Sequence, residues 1–217
     1  MPYPLTLATI LQRNRLLFGK KEVVSRDFSG IHRYTYADYN VRVAKLANAL
    51  KRLGVRPGER VATFGWNSHR HLEAYFAVPC MGTVLHTLNI RLFEDQFTFI
   101  VNHAEDAVML VDEDLLPVVE AVADKFPTVR AYVIMSDKKT VPVTRLSPVY
   151  SYEALLDAEA GSTIGLRFPM KIRWRPSATP PPPRENRRGS RTPTGGSICT
   201  PSRSARPTFW GSGRRMP

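Results

Sequence analysis

Residues 1–169 predict an α/β fold in which helices cover both faces of a parallel sheet. Three observations carry that prediction. Short, mostly apolar runs recur at Val61-Ala62-Thr63-Phe64, Val84-Leu85-His86-Thr87, Val108-Met109-Leu110-Val111 and Tyr132-Val133-Ile134-Met135, without the alternation of a half-exposed strand. The segments between them carry apolar residues at helical spacing. Turn-forming or helix-stopping residues punctuate the joins.

Taken in order, Thr6 to Phe18 places Leu7, Ile10, Leu11 and Phe18 near a helical period, and Gly19 ends it. Glu22–Arg26 and Ile31–Thr35 flank Asp27-Phe28-Ser29-Gly30, the pattern of a β-hairpin. Tyr36 to Leu53 gives one stripe of Val43, Leu46, Ala47, Leu50 and Leu53, with Gly54 as the stop. After strand 61–64, Asn67 is placed to cap a helix through Leu72, Tyr75 and Phe76, which Pro79 should kink or end. Strand 84–87 leads to a helix with Phe93, Phe97, Ile100 and Val101 on one face. Strand 108–111 leads to Asp112, a helix cap for Leu115, Val118, Val119, Val122 and Phe126. Strand 132–135 closes the series.

The chemistry changes near Met170. From Lys171 to Pro217 there is no Leu, Val or Tyr, and Pro, Arg, Ser, Thr and Gly supply 35 of 47 residues. Lys171 and ten Arg stand there against Glu185 alone, so ten of the formal +12 charges belong to this tail. The other 20 basic and 18 acidic residues leave the body at +2. The division is therefore 1–169, a folded body, and 170–217, a disordered Pro/Arg-rich tail. Cys80 and Cys199 fall on opposite sides of the break, which argues against a disulfide framework or a zinc site. No leader and no apolar run of membrane-spanning length is evident, so a soluble, cytoplasmic protein is expected.

Candidate chemistry in the body is sparse. His69 and His71 stand two apart at a helix start, so they cannot chelate one metal together and are read as surface residues. His86, inside an apparently buried strand, is read as a hydrogen-bonded core histidine in preference to a ligand. His103 complements a helix C-terminus. Cys80 has no neighbour that would make it a thiolate and is read as packing. No Ser/His/Asp order, carboxylate pair or Gly-rich phosphate loop can be placed, so no catalytic, cofactor-binding or metal-binding residue is assigned.

Longer stretches are more specific. They are Phe18-Gly19-Lys20-Lys21-Glu22-Val23-Val24-Ser25-Arg26, Leu53-Gly54-Val55-Arg56-Pro57-Gly58-Glu59-Arg60-Val61-Ala62, and Asn67 with His71-Leu72-Glu73-Ala74-Tyr75-Phe76-Ala77-Val78-Pro79. Gly82-Thr83-Val84-Leu85-His86-Thr87-Leu88-Asn89-Ile90-Arg91-Leu92 and Asn102-His103-Ala104-Glu105-Asp106 follow. Together they resemble the AMP-forming acyl-CoA synthetases of the medium- and long-chain fatty-acid type, over most of residues 5–165 and only the opening third of such an enzyme. The resemblance implies the N-terminal subdomain of an adenylate-forming enzyme. It implies that an intact member uses ATP, Mg²⁺ and coenzyme A to convert a fatty acid to acyl-adenylate and then to the thioester.

In that family a phosphate loop, Y-T-S-G-T-T-G-x-P-K-G-V-x-Y-[ST]-H-R, follows this segment, and here the tail stands in its place. The tail can be tested against the genetic code by joining the third base of each codon to the first two of the next. Trp174–Arg175 and Arg175–Pro176 permit Ala; Ala178–Thr179, Thr179–Pro180 and Pro180–Pro181 permit Tyr, Thr and Ser. Continuing to Thr194–Gly195, the permitted string is A-A-x-x-Y-T-S-A-T-T-G-[KE]-P-K-G-V-x-Y-[ST]-H-R, one glycine short of the family loop. The tail is accordingly read as an out-of-frame translation of the loop region.

Three functions compete at this level. The leading one is a truncated fatty-acid–CoA ligase, inactive alone and needing no cofactor of its own. Another is non-specific nucleic-acid binding through the Arg-rich tail, where Trp174, Phe209 and Trp210 are too few for a stacking platform and polyanion binding would be incidental. The third is a non-catalytic module, with Tyr3–Phe18 pairing with an intact copy as a homodimer.

Overall fold

The computed structural model describes residues 6–27 and 30–159. The expected disordered tail, 170–217, lies outside the described residues.

The chain opens with α1 (Leu7–Phe18), then β1 (Glu22–Asp27) and β2 (Gly30–Thr35), paired antiparallel from Glu22↔Thr35 to Asp27↔Gly30. Next comes α2 (Tyr36–Arg52), whose N-terminus is a capping box: Thr35 Oγ1 accepts from Asp38 N at 3.2 Å, and the Asp38 carboxylate accepts from Thr35 N at 3.1 Å. Its C-terminus is a Schellman motif, with Val55 N bonded to Leu50 O and Gly54 N to Lys51 O. The turn puts Gly54 at φ +82°, a conformation that favours glycine.

Five parallel strands follow: β3 (Arg60–Phe64), β4 (Val84–Thr87), β5 (Asp106–Asp112), β6 (Ala131–Met135) and β7 (Val149–Ser151), in the spatial order β4-β3-β5-β6-β7. Between and after them lie α3 (His69–Cys80), α4 (Glu94–Ala104), α5 (Leu116–Val122) and α6 (Tyr152–Asp157). Alternate strand residues feed two cores. Val61, Val108, Leu110 and Val133 pack with α2, α3 and α6; Ala62, Phe64, Met109, Val111 and Ile134 pack with Phe97, Val101, Val119 and Val122. The predicted α/β layering is thus the observed one.

Four local readings change. Ser68, not Asn67, caps α3 through its hydroxyl. Asp112 makes no capping bond, because its carboxylate turns to the loop after β3 and accepts from Trp66 N at 2.6 Å. The α5 region is broken, with a 3₁₀ turn on either side of Leu116–Val122. Strand β6 does not close the series, since β7 pairs beyond it. Among the described residues no helix is long and apolar enough to cross a membrane.

Candidate functional site

After β3 the chain moves to one neighbouring position for β4, then crosses back to the other side for β5. Such a reversal opens a crevice beyond the carboxyl ends of the strands, the usual ligand position in open parallel sheets. A cleft of about 880 Å³ lies there, lined by the ends of β3 (Trp66, Asn67), β5 (Asp112–Asp114) and β6 (Met135–Asp137) together with Arg26, Asp27 and Arg70.

Gly65 allows the strand ends to approach: a Cβ there would lie 2.8 Å from Asp112 Oδ2. Trp66 then donates its backbone N–H to Asp112 and its indole N–H to Asp114 at 2.8 Å. Burial pushes the Asp112 carboxyl up to about 6, opposed by the Trp66 N–H and reinforced by Asp114.

Arg70, Asp27 and Asp137 of the cleft also belong to a partly buried ion network. Arg42 of α2 holds Glu153 of α6 with two bonds of 2.9 and 2.8 Å, and its Nε reaches Glu73 of α3 at 2.7 Å. Tyr152 donates to Glu73 at 2.6 Å. Arg70 bonds Glu153 at 3.1 Å and Asp137, and lies 3.8 Å from Asp27. Burial raises the Glu73 carboxyl, with Arg42 and Tyr152 pulling it back. Glu153 is half-buried, which raises its carboxyl, yet the two guanidiniums hold it below the ordinary value. These residues were not singled out in the sequence. Their partners are up to 111 positions apart, and the one local signal is a charge such as Glu73 on the Ala74–Ala77 face.

The singled-out residues stay apart from one another. His69 and His71, read as surface residues, are buried. The hairpin covers His69, and His71 points inward with Nε2 3.1 Å from Thr63 Oγ1 and Nδ1 3.2 Å from Trp66 O. His86 is hydrogen-bonded as expected, 2.8 Å from the fully buried Asp106, but β4 is an edge strand and not a buried one. His103 sits in the last turn of α4, stacked on Phe99. Burial lifts the Cys80 thiol to about 11, which keeps it an unreactive packing group. Among the described residues no cluster of three His, Cys, Asp or Glu could hold a metal.

The cleft does not fit a nucleoside triphosphate. Asp27, Asp112, Glu113, Asp114 and Asp137 outnumber Arg26 and Arg70 around it, and phosphate prefers preorganised N–H groups and cations.

Comparison with known proteins places the chain. It is 52% identical over 139 residues to a long-chain-fatty-acid–CoA ligase of Thermus thermophilus, covering 64% of this chain and 26% of that one. It is 37% identical over 153 residues to a medium-chain-fatty-acid–CoA ligase of Ectopseudomonas oleovorans, covering 70% and 28%. The chain thus spans about a quarter of the length of these relatives. Among solved structures the fold matches a fatty acyl CoA synthetase of Mycobacterium tuberculosis at TM-score 0.62 and 21% identity, covering 74% of this chain and 30% of that one. The anthranilate CoA ligase AuaEII matches at TM-score 0.63 and 20% identity, covering 74% and 29%. Residues 12–186 match the AMP-binding enzyme family, and to that family, whose members include ATP-dependent acyl-CoA ligases, the chain belongs.

Proposed function

We propose that this chain is the N-terminal portion of a fatty-acid–CoA ligase whose phosphate-binding loop is out of frame from about residue 170, and that it is catalytically silent alone. The observation that carries this reading is the ordered agreement between the shifted-frame string across Trp174–Gly195 and the family loop. The likeness to the Thermus long-chain ligase supports fatty acids as the parent's substrates. The parent would use ATP and Mg²⁺ to make acyl-adenylate and coenzyme A to release AMP. The body alone supplies scaffold: the switch-point cleft is bordered by carboxylates, and its two arginines are outnumbered.

The test is pyrophosphate release from ATP with a fatty acid, comparing the full chain with one ending at Pro169. Equal inactivity is expected, with salt-sensitive ATP retention by the longer chain through its arginines. Release by the full chain that is lost on shortening would make the tail a working part of an enzyme and overturn the reading. Pairing of α1 with an intact copy is a second reading, favoured by the outward Leu16 and Leu17, which are 70% and 65% exposed. Co-sedimentation with an intact synthetase tests it, and its absence removes the reading.

A further inference from the structure

The hairpin meets the first turn of α3 through two stacked imidazoles. His32 of β2 and His69 of α3 lie with ring centroids 3.9 Å apart and planes 14° from parallel. Tyr34 sets its edge against His69 at 5.9 Å. From β1, Ser25 Oγ accepts the His69 backbone N–H at 3.0 Å. His69 is 2% exposed. Its Nδ1 and His32 Nε2 are buried with no hydrogen-bond partner among the described residues. Beside the pair, a cavity of about 360 Å³ runs between hairpin and helix, lined by Val23, Ser25, Ser68, His69, His71 and Leu72.

We propose that this stacked pair is an acid-sensitive latch, in which protonation of His69 releases the β1–β2 hairpin from α3. Burial and the cations around the ring resist a positive charge there, and Glu153 of α6 relieves it only in part. His32 and Tyr34 face it from β2, and Ser25 from β1. Arg70 adjoins it on α3 and Arg42 acts from α2, both cationic. Glu153 of α6 is already bonded to both guanidiniums, and Glu73 to Arg42 and Tyr152. His71, in the same turn, is committed to Thr63 and Trp66.

Burial first, then Arg70, His32 and Arg42, lower the His69 pKa to about 3 in the closed state. An opened hairpin returns the ring to water, where imidazole titrates near ~6.5. The closed state is therefore favoured fully above that value and loses ground as pH falls through the window between ~6.5 and ~3. At pH 5 the open-to-closed ratio should be roughly 30-fold higher than at pH 8. The hairpin buries few apolar residues, so this opening is local.

Amide hydrogen exchange on the full chain, corrected for intrinsic rates, tests the latch. Hairpin amides at Val23–Arg26 and Ile31–Tyr34 should open roughly 30-fold more at pH 5 than at pH 8, with β5 and β6 unchanged. His69→Phe and His69→Gln should each flatten that rise. Asp112→Asn should leave it intact, which separates the latch from the Asp112 carboxyl that burial pushes up to about 6. Exchange of the His69 Cε1 hydrogen in the unaltered chain gives the ring's own midpoint, expected well below the ordinary histidine value. A midpoint near ~6.5, or an undiminished rise in either folded His69 variant, would overturn the proposal.

Discussion

At the scale of single residues, burial decides which charges matter. Glu73 has no exposed surface and answers to Arg42 and Tyr152, while the Arg33–Glu22 pair has side chains 58% and 57% exposed. Removing one member of a buried pair leaves its partner desolvated and unmatched, whereas an exposed pair is replaced by water. Glu73→Ala should therefore lower unfolding stability by about 3 kcal/mol, and Arg33→Ala by less than ~1 kcal/mol, both read from urea midpoints. Similar small losses for both would show that the network is not a structural unit. Little of this was legible in the sequence. Apolar periodicity marks what is buried, but it is silent on a charge whose partner is brought in from another element. His69 and His71 show the same limit: two polar residues at a helix start looked solvated, and a hairpin more than 30 positions away covers one of them. Cys80 was legible because nothing near it in sequence or space activates it.

At the scale of elements, what the sequence encodes locally was readable and what depends on pairing was not. The α2 stripe and its Gly54 stop are local, and both stand as expected. So are the four apolar strands. Strand β7 and helix α6 are three and six residues long, too short for periodicity to distinguish them from a loop; β7 exists because β6 offers it an edge. Asp112 looked like a cap because acceptors suit helix starts, yet the backbone N–H brought close by Gly65 claimed it. The Thr35–Asp38 capping box is a local device with a local cost. Thr35→Ala should destabilise the chain by ~1 kcal/mol, measured as a lower denaturation midpoint, and no change would mean that packing alone fixes the start of α2. Acidification acts on elements too. Glu153 ties α6 to α2 and α3 with its carboxyl held below the ordinary value. That share of stability is present above ~4.3 and lost as pH falls through the lower folded value.

At the scale of the whole molecule, the described body is a sheet with an uncovered border. Strand β4 lies at its edge, and Phe93 at the start of α4 and Phe99 within it are 79% and 66% exposed. Open strand edges and exposed aromatic surface promote self-association. Light scattering at micromolar concentration should show association of the full chain, reduced several-fold by Val84→Lys on the edge strand. Scattering that Val84→Lys leaves unchanged would put the association elsewhere. The matched segment is only about a quarter of relatives that have the material to cover such surfaces, and the shifted-frame string says where that material would resume. The encoding DNA, read in the adjacent frame from about codon 170, settles whether it does. That frame should stay open well past codon 217, encode Y-T-S-A-T-T-G-[KE]-P-K-G-V and continue for several hundred residues of ligase. An early stop, or a frame without P-K-G, would contradict the out-of-frame reading and make the arginine-rich tail a segment of the protein in its own right.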